Sequence, residues 1–199
     1  MGVVARYFDY EADAPGYLTE EAAHNDATQS ADYAKHDSGD KQTQHLSVHV
    51  DHTLDKQWHL SVKTYIQQFD RHRYIQYTAS SAQQERLEKD RQYGAIATLS
   101  AVLNPSWLLT MGLDYQAQDN TNERFRTIEK TRQLQFRNWD FDYNNVGGFT
   151  QLQYRGDRLL LSGGLRLDSF SGDLVDGINQ QTKANYSRGL QQICTSIER

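Results

Sequence analysis

Seven arginines stand in two polar stretches of this chain. Arg71, Arg73 and Arg86 lie in or next to the stretch from Asp70 to Asp90, and Arg124, Arg126, Arg132 and Arg137 in that from Ala117 to Asn145. A guanidinium group presents a rigid fork of N–H donors that pairs bidentately with carboxylates. Clustered guanidinium groups are the chemistry with which a chain would grip a multiply charged anion, so these seven are the candidate ligand contacts. The plainer account is that charged loops keep a surface hydrated.

Other chemistry is weaker. His45 and His49 share a face of a strand, but four positions at about 3.3 Å each put them roughly 13 Å apart, too far to hold one ion. His49 and His52 fall on opposite faces of a regular strand, and no Cys/His spacing fits zinc. Asp140 and Asp142 share a face as active-site carboxylates could, although solvated acids are far commoner. The chain has no nucleophile elbow and no phosphate loop, so it is read as no enzyme and as needing no cofactor or metal. Arg155-Gly156-Asp157 matches an adhesion tripeptide, yet Gly-Asp in a tight turn explains it.

The elements that must position these groups are strands. From Arg91 to Gln116, residues Tyr93, Ala95, Ala97, Leu99, Ala101 and Leu103 share one face of a first arm, and Trp107, Leu109, Met111, Leu113 and Tyr115 repeat the pattern on a second. Alternation with period two marks a half-buried strand. Asn104-Pro105-Ser106 turns the chain between the arms. The apolar face of the second arm opens on Trp107 and closes on Tyr115. Nine residues tilted by about 45° cover roughly 20 Å, close to the apolar band of an outer-membrane barrel with its aromatic girdles.

In chain order, Val3 to Tyr10 forms a first strand with Val4, Phe8 and Tyr10 on one face. A polar excursion follows to about Lys41. The second strand, about Gln42 to Leu54, places Leu46, Val48 and Val50 opposite His45, Ser47, His49 and Asp51. The third, Trp58 to about Phe69, places Trp58, Leu60, Val62 and Ile66 opposite His59, Ser61, Lys63 and Gln67. The stretches Asp70–Asp90 and Ala117–Asn145 are expected as long loops on either side of the central hairpin. Val146–Tyr154 and Leu159–Phe170 are the last strands, with Arg166 and Asp168 pairing on the polar face. Connections thus alternate short and long, as they do in transmembrane barrels. The fold expected is all-β: an antiparallel transmembrane β-barrel segment of about seven strands, incomplete.

Composition agrees. Hydrophobic residues make up 37% of the 199, and mean hydropathy is -0.81, polar for a chain with a closed core but natural for a barrel wall that is apolar on one face. A net charge of -5 argues against a nucleic-acid partner. Cys194 is the one cysteine, so no intrachain disulfide forms. No apolar run is long enough for a transmembrane helix, and the first residues lack the pattern of a signal peptide.

Several segments resemble the barrel of TonB-dependent outer-membrane receptors. The pair Gly147-Gly148-Phe149-Thr150-Gln151-Leu152-Gln153-Tyr154 and Leu161-Ser162-Gly163-Gly164-Leu165-Arg166-Leu167-Asp168 is similar to a strand pair of that family. Ala12-Asp13-Ala14-Pro15-Gly16-Tyr17-Leu18-Thr19 resembles the first barrel loops of its ferric-dicitrate-type branch. The resemblance implies uptake of a ferric siderophore or ferric citrate-like chelate as transported ligand, energised through TonB, with outer-membrane lipid as surroundings. The loop arginines would then contact the chelate, or anionic lipid headgroups. Neither plug nor energy-coupling box is present, so the TonB contact regions are expected to lie outside this sequence and the chain to be a fragment. Residues 1–186 are expected to form the partial barrel and 187–199, which lose the strand alternation, an aberrant or disordered tail. A soluble β-rich ligand-binding domain and a passive outer-membrane pore remain open as alternatives.

Overall fold

The computed structural model describes residues 1–198, with the backbone alone at 183–187, 190, 191, 194, 197 and 198. Eight strands form one open antiparallel sheet in chain order. They are β1 (Gly2–Asp13), β2 (Ser38–Thr53), β3 (Trp58–Ile75), β4 (Gln83–Asn104), β5 (Trp107–Ile128), β6 (Thr131–Arg155), β7 (Leu160–Asp176) and β8 (Gln181–Glu198). Residues 187–198, expected as a tail, continue β8 and pair with β7 from Leu160↔Glu198 to Asp176↔Gln181, so the strand count is eight rather than seven. Backbone pairing does not require side-chain alternation, which explains how a strand forms where the pattern fades. The side chain of Cys194 and residue Arg199 lie outside the described residues.

The register aligns the apolar faces across the sheet. Leu46 pairs with Ile66, Ile66 with Tyr93, Leu60 with Leu99, Leu99 with Met111, and Leu109 with Leu152. The apolar stripe ends on aromatic side chains at both levels. Trp107 packs on Tyr154 at 5.0 Å between ring centroids, and Tyr93 on Tyr115 at 6.3 Å. The stripe is not covered by protein: Leu113 is 68% exposed, Val146 55%, and both Ile66 and Leu167 54%. Among the described residues, the fully buried apolar side chains are only Ala34, Ala101 and Ala117. A soluble domain closes its apolar face against a second layer; this sheet has no such layer.

On the other face the wall is polar and charged. Arg166 donates to both oxygens of Asp114 at 2.8 and 2.9 Å and to Asp168 at 2.9 and 2.5 Å. The expected Arg166–Asp168 pair is thus a triad centred on the guanidinium. It lies over Gly147, where a Cβ would come within 2.4 Å of the Arg166 Nη2. Only glycine leaves room for that approach.

Two expectations about β-structure are corrected. The stretches 70–90 and 117–145 are not loops: β3 to β6 continue through them, leaving short turns at 76–82 and 129–130. Beyond the apolar band both faces meet water, so period two disappears although backbone pairing goes on. The second correction concerns β1. Val4, Phe8 and Tyr10 do share a face, but their partners are Ser47, Thr43 and Lys41, which places them on the polar side; Val3 and Ala5 join the apolar stripe through Val48 and Leu46.

The first excursion is a true loop. It contains a one-and-a-half-turn helix, α1 (Glu20–Asn25), whose N-terminus is capped by the Thr19 hydroxyl accepting from the Ala22 N–H at 3.2 Å. Asp37, at the loop's end, is 2% exposed and accepts from the Gln76 backbone at 2.6 Å and the Gln83 amide at 3.0 Å. The Gln83 carbonyl oxygen in turn accepts from Thr127 and from the Lys130 backbone. One buried polar chain therefore ties the loop to the tips of the β3–β4 and β5–β6 hairpins.

Candidate anion-binding site

The extended strands bring four of the seven arginines into one row. Arg73 pairs directly with Arg86, Arg86 with Arg124, and Arg124 with Arg137. Direct partners point to the same side of a sheet, and this side is the polar face that carries Asp114 and Arg166 further down. With strands about 4.8 Å apart, the row spans roughly 14 Å from β3 to β6. The next row towards the bilayer level holds Lys41, Arg71, Glu88, Asn122 and Trp139, each the partner of its neighbour.

Four like charges side by side are costly unless something compensates them, because like charges on direct partners destabilise a sheet. Glu88 is the compensating carboxylate in the adjoining row: it accepts from Arg71 Nε at 2.9 Å and again from the same guanidinium's Nη2, and it lies 3.8 Å from Arg73. Aromatic faces hold other members. The Arg86 guanidinium lies 5.1 Å from the Tyr77 ring centroid and that of Arg137 4.0 Å from Trp139. Lys41 sits over Phe8 and Phe69 at 5.8 and 5.3 Å. Such stacking leaves the in-plane N–H edges free for a ligand.

The electrostatic state of the row follows from this geometry. Burial and the charge of Arg71 push the Arg73 guanidinium below its ordinary range, and Glu88 only partly offsets them. Burial, Arg86 and Arg137 do the same to Arg124. Arg73 Nε, Arg124 Nε and Asn122 Oδ1 are buried without a hydrogen-bond partner. Buried polar groups normally find partners. Beside the row a recess of about 250 Å³ is lined by Tyr10, Gly39, Lys41, Arg71, Arg73 and Ile75, among others.

The other predicted arginines separate. Arg126 pairs with Gln84 on the same face but is exposed, beyond the end of the row. Arg132 is on the opposite face, where it donates to both oxygens of Glu85 and stacks on Phe125 at 4.1 Å. Glu85 is 2% exposed and also bonds the His72 Nε2 at 2.8 Å and the Tyr74 hydroxyl at 3.2 Å. Burial pushes its carboxyl up, and the hydrogen bonds from Arg132 and His72 outweigh that and hold it below its ordinary value. Arg132 therefore anchors the hairpins from behind. Lys41, Glu88, Asn122 and Trp139 were not evident from residue types alone.

Elsewhere, His49 and His59 approach Asp51 at 3.1 and 3.6 Å, and among the described residues no three His, Cys, Asp or Glu side chains gather as a metal site. Asp140 accepts from Thr121 at 2.8 Å and Asp142 pairs with Asp119, both on the outward side.

A single-layer antiparallel sheet with an uncovered apolar face, aromatic rims and a charged opposite face is a section of a β-barrel wall. The chain belongs to the family of TonB dependent receptor-like β-barrels, whose model matches residues 2–191. Among solved structures it resembles the ferric citrate transporter FecA in its unliganded form, with a TM-score of 0.84 at 16% identity over 98% of this chain and 30% of that one. It also resembles the copper transporter OprC (TM-score 0.64, 16% identity, 82% of this chain and 28% of that one) and the siderophore receptor PiuA from Acinetobacter baumannii (0.65, 10%, 98% and 36%). The chain thus spans about 30% of the length of FecA. No curated protein matches it in sequence.

Proposed function

We propose that this chain forms the ligand-facing wall of an outer-membrane receptor for an anionic ferric chelate, of the siderophore or ferric citrate kind, energised through TonB as its family implies. The row Arg73–Arg86–Arg124–Arg137 carries the reading. It stands beyond the apolar stripe, on the polar face, and holds buried donors without acceptors. A multiply charged anion supplies those acceptors and relieves the mutual repulsion of the row. The transporters it resembles include one of ferric citrate, which agrees in charge type. The uncovered apolar stripe, with its aromatic rims, suits lipid on the outside.

The test is equilibrium dialysis of the full chain, refolded into lipid vesicles, against ferric citrate and against a neutral ferric trihydroxamate. Ferric citrate is expected to bind, with an affinity that falls as salt rises, and the neutral complex to bind far more weakly. Replacing Arg73, Arg86, Arg124 and Arg137 together by Gln removes the difference. Equal binding of both complexes, or ferric citrate binding unchanged by the four substitutions, overturns the proposal.

A further inference from the structure

The unpartnered atoms in the site are not all of one kind. Arg73 Nε and Arg124 Nε are donors, which an anion satisfies, whereas Asn122 Oδ1 is an acceptor and repels one. Asn122 stands between Glu88 and Trp139 in the row next to the arginines, two residues along β5 from Arg124 and about 7 Å away on the same face. The Trp139 indole is occupied by the Arg137 guanidinium at 4.0 Å, and Glu88 by Arg71 and Arg73. The vacant valence of Asn122 is therefore left to the ligand. A purely anionic surface would leave it buried and unpaired, which a site built around hydrogen bonds does not tolerate cheaply.

Resting on the arginine row as the binding face, we propose that Asn122 is a specificity-determining residue: it selects an anion that presents a hydrogen-bond donor, a hydroxyl or amide N–H, next to its carboxylates. The ligand class is then a hydroxy- or amido-polycarboxylate. Arg124 and Arg73 take carboxylate oxygens, and Asn122 Oδ1 accepts from the donor. An anion of equal charge without the donor keeps the guanidinium contacts and loses the contact at Asn122.

Citrate and tricarballylate make the comparison directly, since both carry three carboxylates and only citrate carries a hydroxyl. The full vesicle-inserted chain is titrated with each at equal ionic strength. Citrate is expected to bind at least about tenfold tighter, the scale set by one buried hydrogen-bonding group left unsatisfied. Asn122→Leu should bring the two within about twofold by weakening citrate, while Arg124→Gln weakens both alike and keeps their ratio. Asn122→Ser, which withdraws the acceptor with little change to the strand, is expected to act as Asn122→Leu does and guards against a folding defect. Equal affinities in the unsubstituted chain, both lowered by Arg124→Gln, overturn the role of Asn122 and leave the anion site standing. Failure of both anions and of ferric citrate to bind overturns the site and this role together.

Discussion

Arg124 sits at the middle of the row with Arg86 and Arg137 as direct partners, and its substitution by Gln should pull stability and binding in opposite directions. Two unit charges about 6 Å apart repel by roughly 3 kcal/mol at the effective dielectric of a protein surface, and by less than 1 kcal/mol in water. Part of the site is open to solvent, so removing one charge from between two neighbours should stabilise the hairpins by about 1 kcal/mol. Desolvation of the same guanidinium adds to the gain, since burial already works against its charged form. Binding responds the other way. A hydrogen bond to a charged group contributes about 1.5–3 kcal/mol, so losing the one Arg124 offers should weaken an anionic chelate by roughly 10- to 150-fold. Urea titration of the vesicle-inserted chain, with exchange protection of the β4–β6 amides as the probe, reads the first effect. Dialysis against ferric citrate reads the second. A chain that becomes less stable and binds ferric citrate as before would refute the reasoning, because the row would then be held by packing.

Further outcomes follow from the same geometry. Arg132→Ala should lower the urea resistance of the hairpins by about 1–3 kcal/mol, since it strips the buried Glu85 carboxylate of its main partner while Arg132 itself is half exposed, and should leave anion affinity unchanged. Glu85 is held below its ordinary value of 4.5, so its ionised form stabilises the fold above that pH and the contribution is lost as pH falls through the lower folded value. Urea midpoints measured from pH 7 down to pH 3 should fall at the acid end, and Glu85→Gln should flatten that fall. Leu113→Arg puts a charge in the middle of the apolar stripe and should cost about 2–4 kcal/mol of folding in vesicles. Thr98→Arg, on the polar face at the same height, should cost much less; guanidinium titrations of refolding yield compare them.

The sequence made the apolar stripe legible because, within the bilayer band, one face must be apolar and the other need not be. Trp107, Leu109, Met111, Leu113 and Tyr115 and their partners across β4 were readable for that reason. Val4, Phe8 and Tyr10 misled because β1 carries large side chains on both faces, and only pairing with Ser47, Thr43 and Lys41 shows which face is which. The arginines were legible as a set but not as a row. Past Tyr93 and Tyr115 nothing forces alternation, so β4 and β5 looked like loops. The signal was nonetheless present in the turn: Arg86 and Arg124 lie equally far on either side of Pro105, and unbroken pairing away from that turn makes them partners. Asn122 and Glu88 could be found only from register, since their importance lies in what stands beside them.

The account turns on which face of the sheet meets lipid and which meets water. With Cys194 replaced by Ser, single cysteines at Leu113 and at Thr98 carry a fluorophore on opposite faces at nearly the same height. Vesicles whose acyl chains bear bromine should quench the label at position 113 strongly and that at 98 little. Equal quenching, or a label at 113 that responds only to quenchers dissolved in water, would contradict the barrel wall and with it the placement of the arginine row towards a ligand.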